Sequence, residues 1–190
     1  MNPTLLASVL FTSAMAAYFL EEFILIKPTC TIAQSDPVSR RIELAVLWVP
    51  AVGLALTGMT MWPFAGVRVS GFVNALGGLM CLGGLVLRYI SRRALGRFFT
   101  IGVVRQEGHT VVEVGPYRYL RHPGYCGFVL FYVGLPLLVG NWFGLAVLSF
   151  PALGLLIVLV AVEDKKLAEE LGPPYRAYQK RTYRLFPGIW

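Results

Sequence analysis

The chain has 190 residues, 56% of them hydrophobic and 14% charged, with a mean hydropathy of +0.65. That is too apolar for a soluble domain of this size, so the class is integral membrane protein. The net charge of +7 calls for no nucleic acid, because basic residues beside anionic lipid account for it.

A membrane-spanning helix needs about 20 mainly apolar residues. Five stretches qualify or come close: 5–26, 44–61, 72–87, 125–139 and 145–162. The first lacks a basic leader and reads as one span among several, with no cleavable signal peptide. The third carries Gly77, Gly78, Gly83 and Gly84, which read as close helix packing. The last two are separated only by residues 140–144, so they form a tight helical hairpin. The predicted fold is an all-α integral membrane protein of about five transmembrane helices. It is a single membrane domain over 1–190: N-terminal helices (1–88), a cytoplasmic loop (89–124), the hairpin (125–162) and a cytoplasmic tail (163–190).

Every basic residue except Arg68 lies between the first and second spans, between the third and fourth, or after the fifth. Five spans put those segments on one side, and the positive-inside rule makes that side cytoplasmic and the N-terminus external. Cys30, Cys81 and Cys126 are scattered and read as small buried hydrophobes. His109 and His122 lack zinc-site spacing, so no metal is expected.

The dense polar motif runs Gly115-Pro-Tyr-Arg-Tyr-Leu-Arg-His-Pro-Gly-Tyr-Cys-Gly127, directly before the fourth span. Its glycines and prolines make it turn-rich. Residues 109–114 just before it are expected as a short strand or strand-like loop. After the fifth span the helix should continue to Gly172, where Gly172-Pro173 stops it. The hairpin returns Glu163 to the membrane face that carries His122. A histidine, an arginine, tyrosines and a carboxylate then meet beside an apolar bundle, as a polar cofactor site with a lipid-facing neighbour requires. The plainer readings are an interfacial belt of arginines and tyrosines and a Glu163–Lys166 pair.

The stretch from His109 to Gly127, the hairpin, and the later Glu163-Asp164, Leu-Gly-Pro-Pro-Tyr and Phe-Pro-Gly segments resemble the isoprenylcysteine carboxyl methyltransferase family, in a bacterial-type member. The resemblance covers about 95–187. It implies a membrane enzyme, in the bacterial inner membrane with its active site on the cytoplasmic face, that methylates an oxygen of a lipophilic or prenylated substrate with S-adenosylmethionine. It further implies that Val103, His109, Thr110, Val111, Val112, Tyr117, His122, Pro123, Gly124, Tyr125 and Glu163 bind the cofactor. His122, Arg121 and Tyr125 are then the catalytic candidates. In the prenylcysteine enzymes an arginine one turn before the cofactor glutamate faces the substrate carboxylate; here that position is Leu159. A buried carboxylate without a cation is costly. Either Arg92, Arg93 or Arg97 takes the role, or the acceptor is a hydroxyl of a lipid-like compound. The alternatives to a methyltransferase are a membrane reductase of the sterol-reductase type using NADPH and a lipid-binding module without enzymatic activity.

Overall fold

The computed structural model describes residues 3–20, 52–53, 55–56, 70–99 and 110–188. Among them the chain is helical and has no sheet. The helices are α1 (Pro3–Phe19), α2 (Gly71–Leu95), α3 (Pro123–Val139), α4 (Phe150–Glu170) and α5 (Pro173–Gln179), with 3-10 turns at Gly96–Phe98 and Gly115–Arg118. A helical turn at Trp142–Gly144 and a π-helical stretch at Leu145–Ser149 lead into α4.

The segments Gly71–Leu95 and Trp142–Glu170 are long and apolar enough to cross a membrane; Val9–Phe19 and Pro123–Val139 are shorter apolar helices. The chain is an integral membrane protein, as its composition indicates. The expected spans at 72–87, 125–139 and 145–162 all appear as helices. The first is helical over Pro3–Phe19. The second lies outside the described residues apart from helical positions at 52–53 and 55–56.

The tightest packing is between α2 and α3, and glycines make it. A Cβ on Gly84 would stand 2.6 Å from the Gly127 carbonyl, and one on Gly134 would stand 2.8 Å from the Gly77 carbonyl. The pairs Gly77/Gly134 and Gly84/Gly127 are two helical turns apart on antiparallel helices, so the backbones touch directly. Lipid offers no hydrophobic drive between helices, and small residues that permit such contact hold them together. Gly78 and Gly83 do not share this role: a Cβ on Gly78 would make an ordinary contact and one on Gly83 would meet nothing within 4 Å.

Helix α2 does not stop at residue 87. It runs to Leu95 and carries Arg88, Arg92 and Arg93 with it. Arg88 and Arg92 are buried, at 2% and 6% exposed. The Arg88 stem lies over Gly127, where a Cβ would come within 2.6 Å of Arg88 Cγ. Its guanidinium sits 3.3 Å above the Phe128 ring, a cation–π contact that offsets part of its burial.

The far end of the α2–α3 pair is capped. Gly140 ends α3 in the left-handed region at φ 69°, and Asn74 Nδ2 donates to the carbonyls of Leu137 (3.2 Å) and Leu138 (2.9 Å). These satisfy acceptors the helix end leaves open. The turn then sends the chain back, and Ser149 Oγ ties it to the Tyr132 carbonyl at 2.8 Å. Helix α1 packs on α3 through Tyr18, stacked on Phe131 at 5.1 Å and 3.2 Å from the Tyr132 hydroxyl. As expected, α4 ends just before Gly172, which takes φ 63°.

Candidate functional site

The site forms where the loop before α3, the end of α4 and the segment after α5 converge. The loop is short of regular structure, and the later segment supplies what it lacks. Tyr183 N donates to the Tyr119 carbonyl at 2.9 Å, Arg121 N to the Tyr183 carbonyl at 2.8 Å, and His122 N to the Arg184 carbonyl at 3.1 Å. Leu120 and Tyr183 thus form an isolated parallel bridge. The Tyr178 hydroxyl donates to the Tyr117 carbonyl at 2.7 Å. The Cys126 thiol donates to the Leu185 carbonyl, and Cys81 and Cys126 are both buried free thiols.

His122 is the N-cap residue of α3 and is 6% exposed. Its two ring nitrogens face two carboxylates from adjacent positions of α4. Nδ1 lies 3.4 Å from Glu163 Oε2, and Nε2 lies 2.9 Å from Asp164 Oδ1. The Tyr125 hydroxyl, one turn along α3, donates to Glu163 Oε1 at 2.7 Å. The imidazole and the Tyr125 ring stack at 5.8 Å. Burial alone would depress the His122 pKa, but hydrogen bonds to Asp164 and Glu163 and the charge of both carboxylates leave it raised.

Asp164 is buried at 1% exposure. Besides His122, Oδ1 accepts from the Tyr175 hydroxyl at 2.8 Å; Oδ2 accepts from Arg121 Nε at 3.2 Å and from Arg184 Nε at 2.7 Å. Burial pushes its pKa up, yet the His122 bond, the Tyr175 bond and the Arg121 charge hold it well below the usual carboxylate range. The hydroxyls of Tyr117, Tyr175 and Tyr178 are pushed up, first by burial, and stay protonated.

The sequence-predicted residues divide clearly. His122, Pro123, Gly124, Tyr125 and Glu163 come together as expected, and Glu163 meets Tyr125 and His122. Tyr117 is buried beside them at 8% exposure, within electrostatic reach of Glu163 and Arg92. Arg121 arrives too, but its guanidinium bonds Asp164 and the Gln179 and Thr182 carbonyls. Its surroundings make it a fastener of the tail. Thr110, Val111 and Val112 lie in irregular chain, and no strand forms over Thr110–Val114. A strand needs a partner ladder, and no described segment offers one there. Val103 and His109 fall outside the described residues. Leu159 is buried on α4, one turn before Glu163. Arg92 lies under the Phe99 ring at 5.0 Å. Arg93 turns outward to Tyr89, donating to its hydroxyl at 3.2 Å. For Arg97 the backbone alone is described, in the turn Gly96–Phe98. Asp164 is the residue that sequence reasoning missed. Among the described residues no His, Cys, Asp and Glu cluster suits a metal ion.

The site can offer a charged acceptor, a hydroxyl and aromatic faces to a polar ligand. Among the described residues each Glu163 oxygen meets one group, the Tyr125 hydroxyl or the His122 ring, and a carboxylate oxygen accepts twice, which suits it to ligand hydroxyl or amino groups. This donor and acceptor set fits a nucleoside-type cofactor carrying a positive charge.

Known proteins resemble this chain in sequence and in fold. The family model described as phospholipid methyltransferase matches residues 72–173. A probable protein-S-isoprenylcysteine O-methyltransferase of Oryza sativa subsp. indica is 28% identical over 120 residues, covering 62% of this chain and 63% of its own. Protein-S-isoprenylcysteine O-methyltransferase A of Arabidopsis thaliana is 35% identical over 80 residues, 41% of each chain. The Schizosaccharomyces pombe protein of that name is 29% identical over 107 residues, 55% of this chain and 45% of its own. The chain thus spans less than two thirds of the length of these curated relatives. A solved structure of the eukaryotic intramembrane Ras methyltransferase, isoprenylcysteine carboxyl methyltransferase, superposes with TM-score 0.71 at 18% identity, over 100% of this chain and 69% of that one. That likeness confirms the membrane fold. The family match covers more than half of the sequence, and the chain belongs to the phospholipid methyltransferase family.

Proposed function

We propose that this member of the phospholipid methyltransferase family transfers a methyl group from S-adenosylmethionine to an oxygen of a lipophilic acceptor. The chain acts as a single membrane unit with its N-terminus outside and this site at the cytoplasmic face. The acceptor enters from the bilayer and the cofactor from the aqueous side. The observation that carries the reading is the Glu163–Tyr125–His122 grouping at the mouth of an apolar helix pair. The names of the matched relatives support it.

S-adenosylmethionine brings an activated methyl group: the acceptor oxygen forms the new O–C bond while the C–S bond breaks and its electron pair stays on sulfur. The protein's task is to hold the partners in place and exclude water. Glu163 takes the hydroxyl or amino groups of the cofactor on its remaining acceptor sites, with Tyr125 and His122 fixing its orientation. Tyr117 and Tyr125 offer aromatic faces that suit a positive sulfur. Pro123 and Gly124 shape the loop, with Thr110, Val111 and Val112 beside it. Val103 and His109 complete the proposed cofactor set. Arg121 holds the tail in place.

The acceptor is a carboxylate, as in an isoprenylcysteine, or a hydroxyl. Leu159 supplies no cation on α4. Arg92, buried and near Tyr117, is the residue best situated to meet an acceptor anion; Arg93 faces away.

The test is isothermal titration of the purified protein with S-adenosylhomocysteine, with NADPH as control. Binding of the first alone, weakened by about 1–3 kcal/mol in Glu163→Ala, is the expected result. Binding of NADPH alone would overturn the reading in favour of a reductase.

A further inference from the structure

Asp164 has no part in the ligand contacts proposed above, yet three segments of the chain end on it. Arg121 and His122 come from the loop before α3, Tyr175 from α5 and Arg184 from the tail. The more telling feature is on the His122 side. A neutral imidazole carries one N–H and one lone pair. A lone pair aimed at a carboxylate oxygen is repulsive, so a ring with a carboxylate at each nitrogen is satisfied only when both nitrogens are protonated. Glu163 faces Nδ1 and Asp164 faces Nε2, at 3.4 and 2.9 Å.

We infer that Asp164 is a positioning residue that holds His122 as a fixed imidazolium, and through that ring sets the orientation of Glu163. The inference rests on the methyl-transfer reading for its meaning in the reaction; the protonation state itself does not. His122 is then a stationary charge. With both N–H groups committed it has no lone pair with which to take a proton from an acceptor, so it is not the general base of the site. Among the described residues, the groups bonded to this ring or its two carboxylates are the hydroxyls of Tyr125 and Tyr175 and the guanidinium groups of Arg121 and Arg184, with Tyr117 within electrostatic reach of Glu163 and Tyr178 of Asp164. Burial holds the protons of Tyr175, Tyr117 and Tyr178 in place. The two-carboxylate contact also explains why a histidine can be nearly sealed from water without losing its charge.

The experiment is nitrogen-15 NMR of the full chain in micelles with labelled histidine. There are two histidines, His109 and His122, and His109→Gln assigns the signals. The expected result is a His122 ring with both nitrogens protonated at about pH 7 and still so at about pH 8. In Asp164→Asn its titration midpoint should fall by at least about one pH unit, a tenfold change in acidity. Arg184→Gln, which disturbs the tail but leaves the His122–Asp164 contact, should leave that midpoint in place. A neutral His122 ring at pH 7 in the wild-type protein would overturn the inference, and so would an unchanged midpoint in Asp164→Asn. If Asp164→Asn does not fold, the wild-type titration still decides whether the ring is the fixed cation required. The titration uses no cofactor. Failure of wild-type protein to bind S-adenosylhomocysteine therefore counts against the methyl-transfer reading alone, and a neutral ring against this inference alone.

Discussion

The α2–α3 seam and the Asp164 clasp solve the same problem, fastening distant parts of the chain, with opposite chemistry. The seam works by leaving side chains out: Gly77, Gly84, Gly127 and Gly134 let two backbones meet, and the gain is dispersion over a long, dry contact. Its contact points are backbone and carbon, with the Arg88 stem over Gly127 and the Cys81 thiol facing the Phe131 carbonyl. The clasp works by gathering charge: one buried carboxylate meets a histidine and two arginines. Its cost is desolvation, recovered only while every partner is present. The seam should therefore tolerate changes of pH and salt and fail on added volume. The clasp should tolerate small changes of volume and fail on lost charge.

That contrast can be broken at several points. The largest effect is expected from Asp164→Ala, which leaves His122, Arg121 and Arg184 without their shared anion. A loss of about 3–5 kcal/mol in folding stability should be measurable by denaturant unfolding in micelles. Next, Gly84→Val puts branched carbon into the Gly127 carbonyl and should cost about 1–3 kcal/mol or more, with no dependence on pH between about 5 and 8. Tyr178→Phe removes the bond to the Tyr117 carbonyl and should cost about 0.5–1.5 kcal/mol. The smallest effect belongs to Gly83→Ala, where a Cβ meets nothing. It should be neutral or stabilising by up to about 1 kcal/mol, and a loss comparable to that of Gly84→Val would dissolve the distinction between the two glycines.

The clasp also predicts a pH window. The folded His122 pKa is raised above its ordinary 6.5. Its contribution is whole below 6.5 and is lost as pH climbs through the folded value. The folded Asp164 pKa is lowered from 3.8. Its contribution is whole above 3.8 and is lost as pH falls through the folded value. Melting temperature should therefore peak between these limits. In Asp164→Ala both limbs should flatten, while in Gly84→Val they should keep their shape at a lower temperature.

The helices that hold the site were legible because apolar length is a local property: each span can be counted without knowing its neighbours. The end of α2 was not. Arg88 looks like the end of a span, and its burial depends on Gly127 and Phe128 of a different helix. His122, Tyr125 and Glu163 were legible because the motif before α3 and the acidic pair after the hairpin carry them. Asp164 stood in that same pair and was passed over. Consecutive helical residues point about 100° apart, so Glu163 and Asp164 meet different neighbours and need separate accounts. The concentration of Tyr175 and Arg184 in the polar tail was the available signal. Residues 109–114 were expected as a short strand or strand-like loop, and the described part, 110–114, is irregular chain: local β character was present, but no described segment pairs with it.

The pairing of the loop with the tail has a consequence for biosynthesis. Arg121 takes the Thr182 carbonyl across a separation of 61 residues. At ~5–20 residues per second, the loop is made several seconds before its partner exists. During that interval α3 can already lie against α2, but the polar residues ahead of it have no Arg184, no Tyr175 and no backbone from Tyr183. The α2–α3 pair can thus be assembled before the loop is pinned, and the segment after α5 acts as the latch. Until that segment emerges, the loop before α3 lacks the backbone bonds that hold Arg121 and His122 in place.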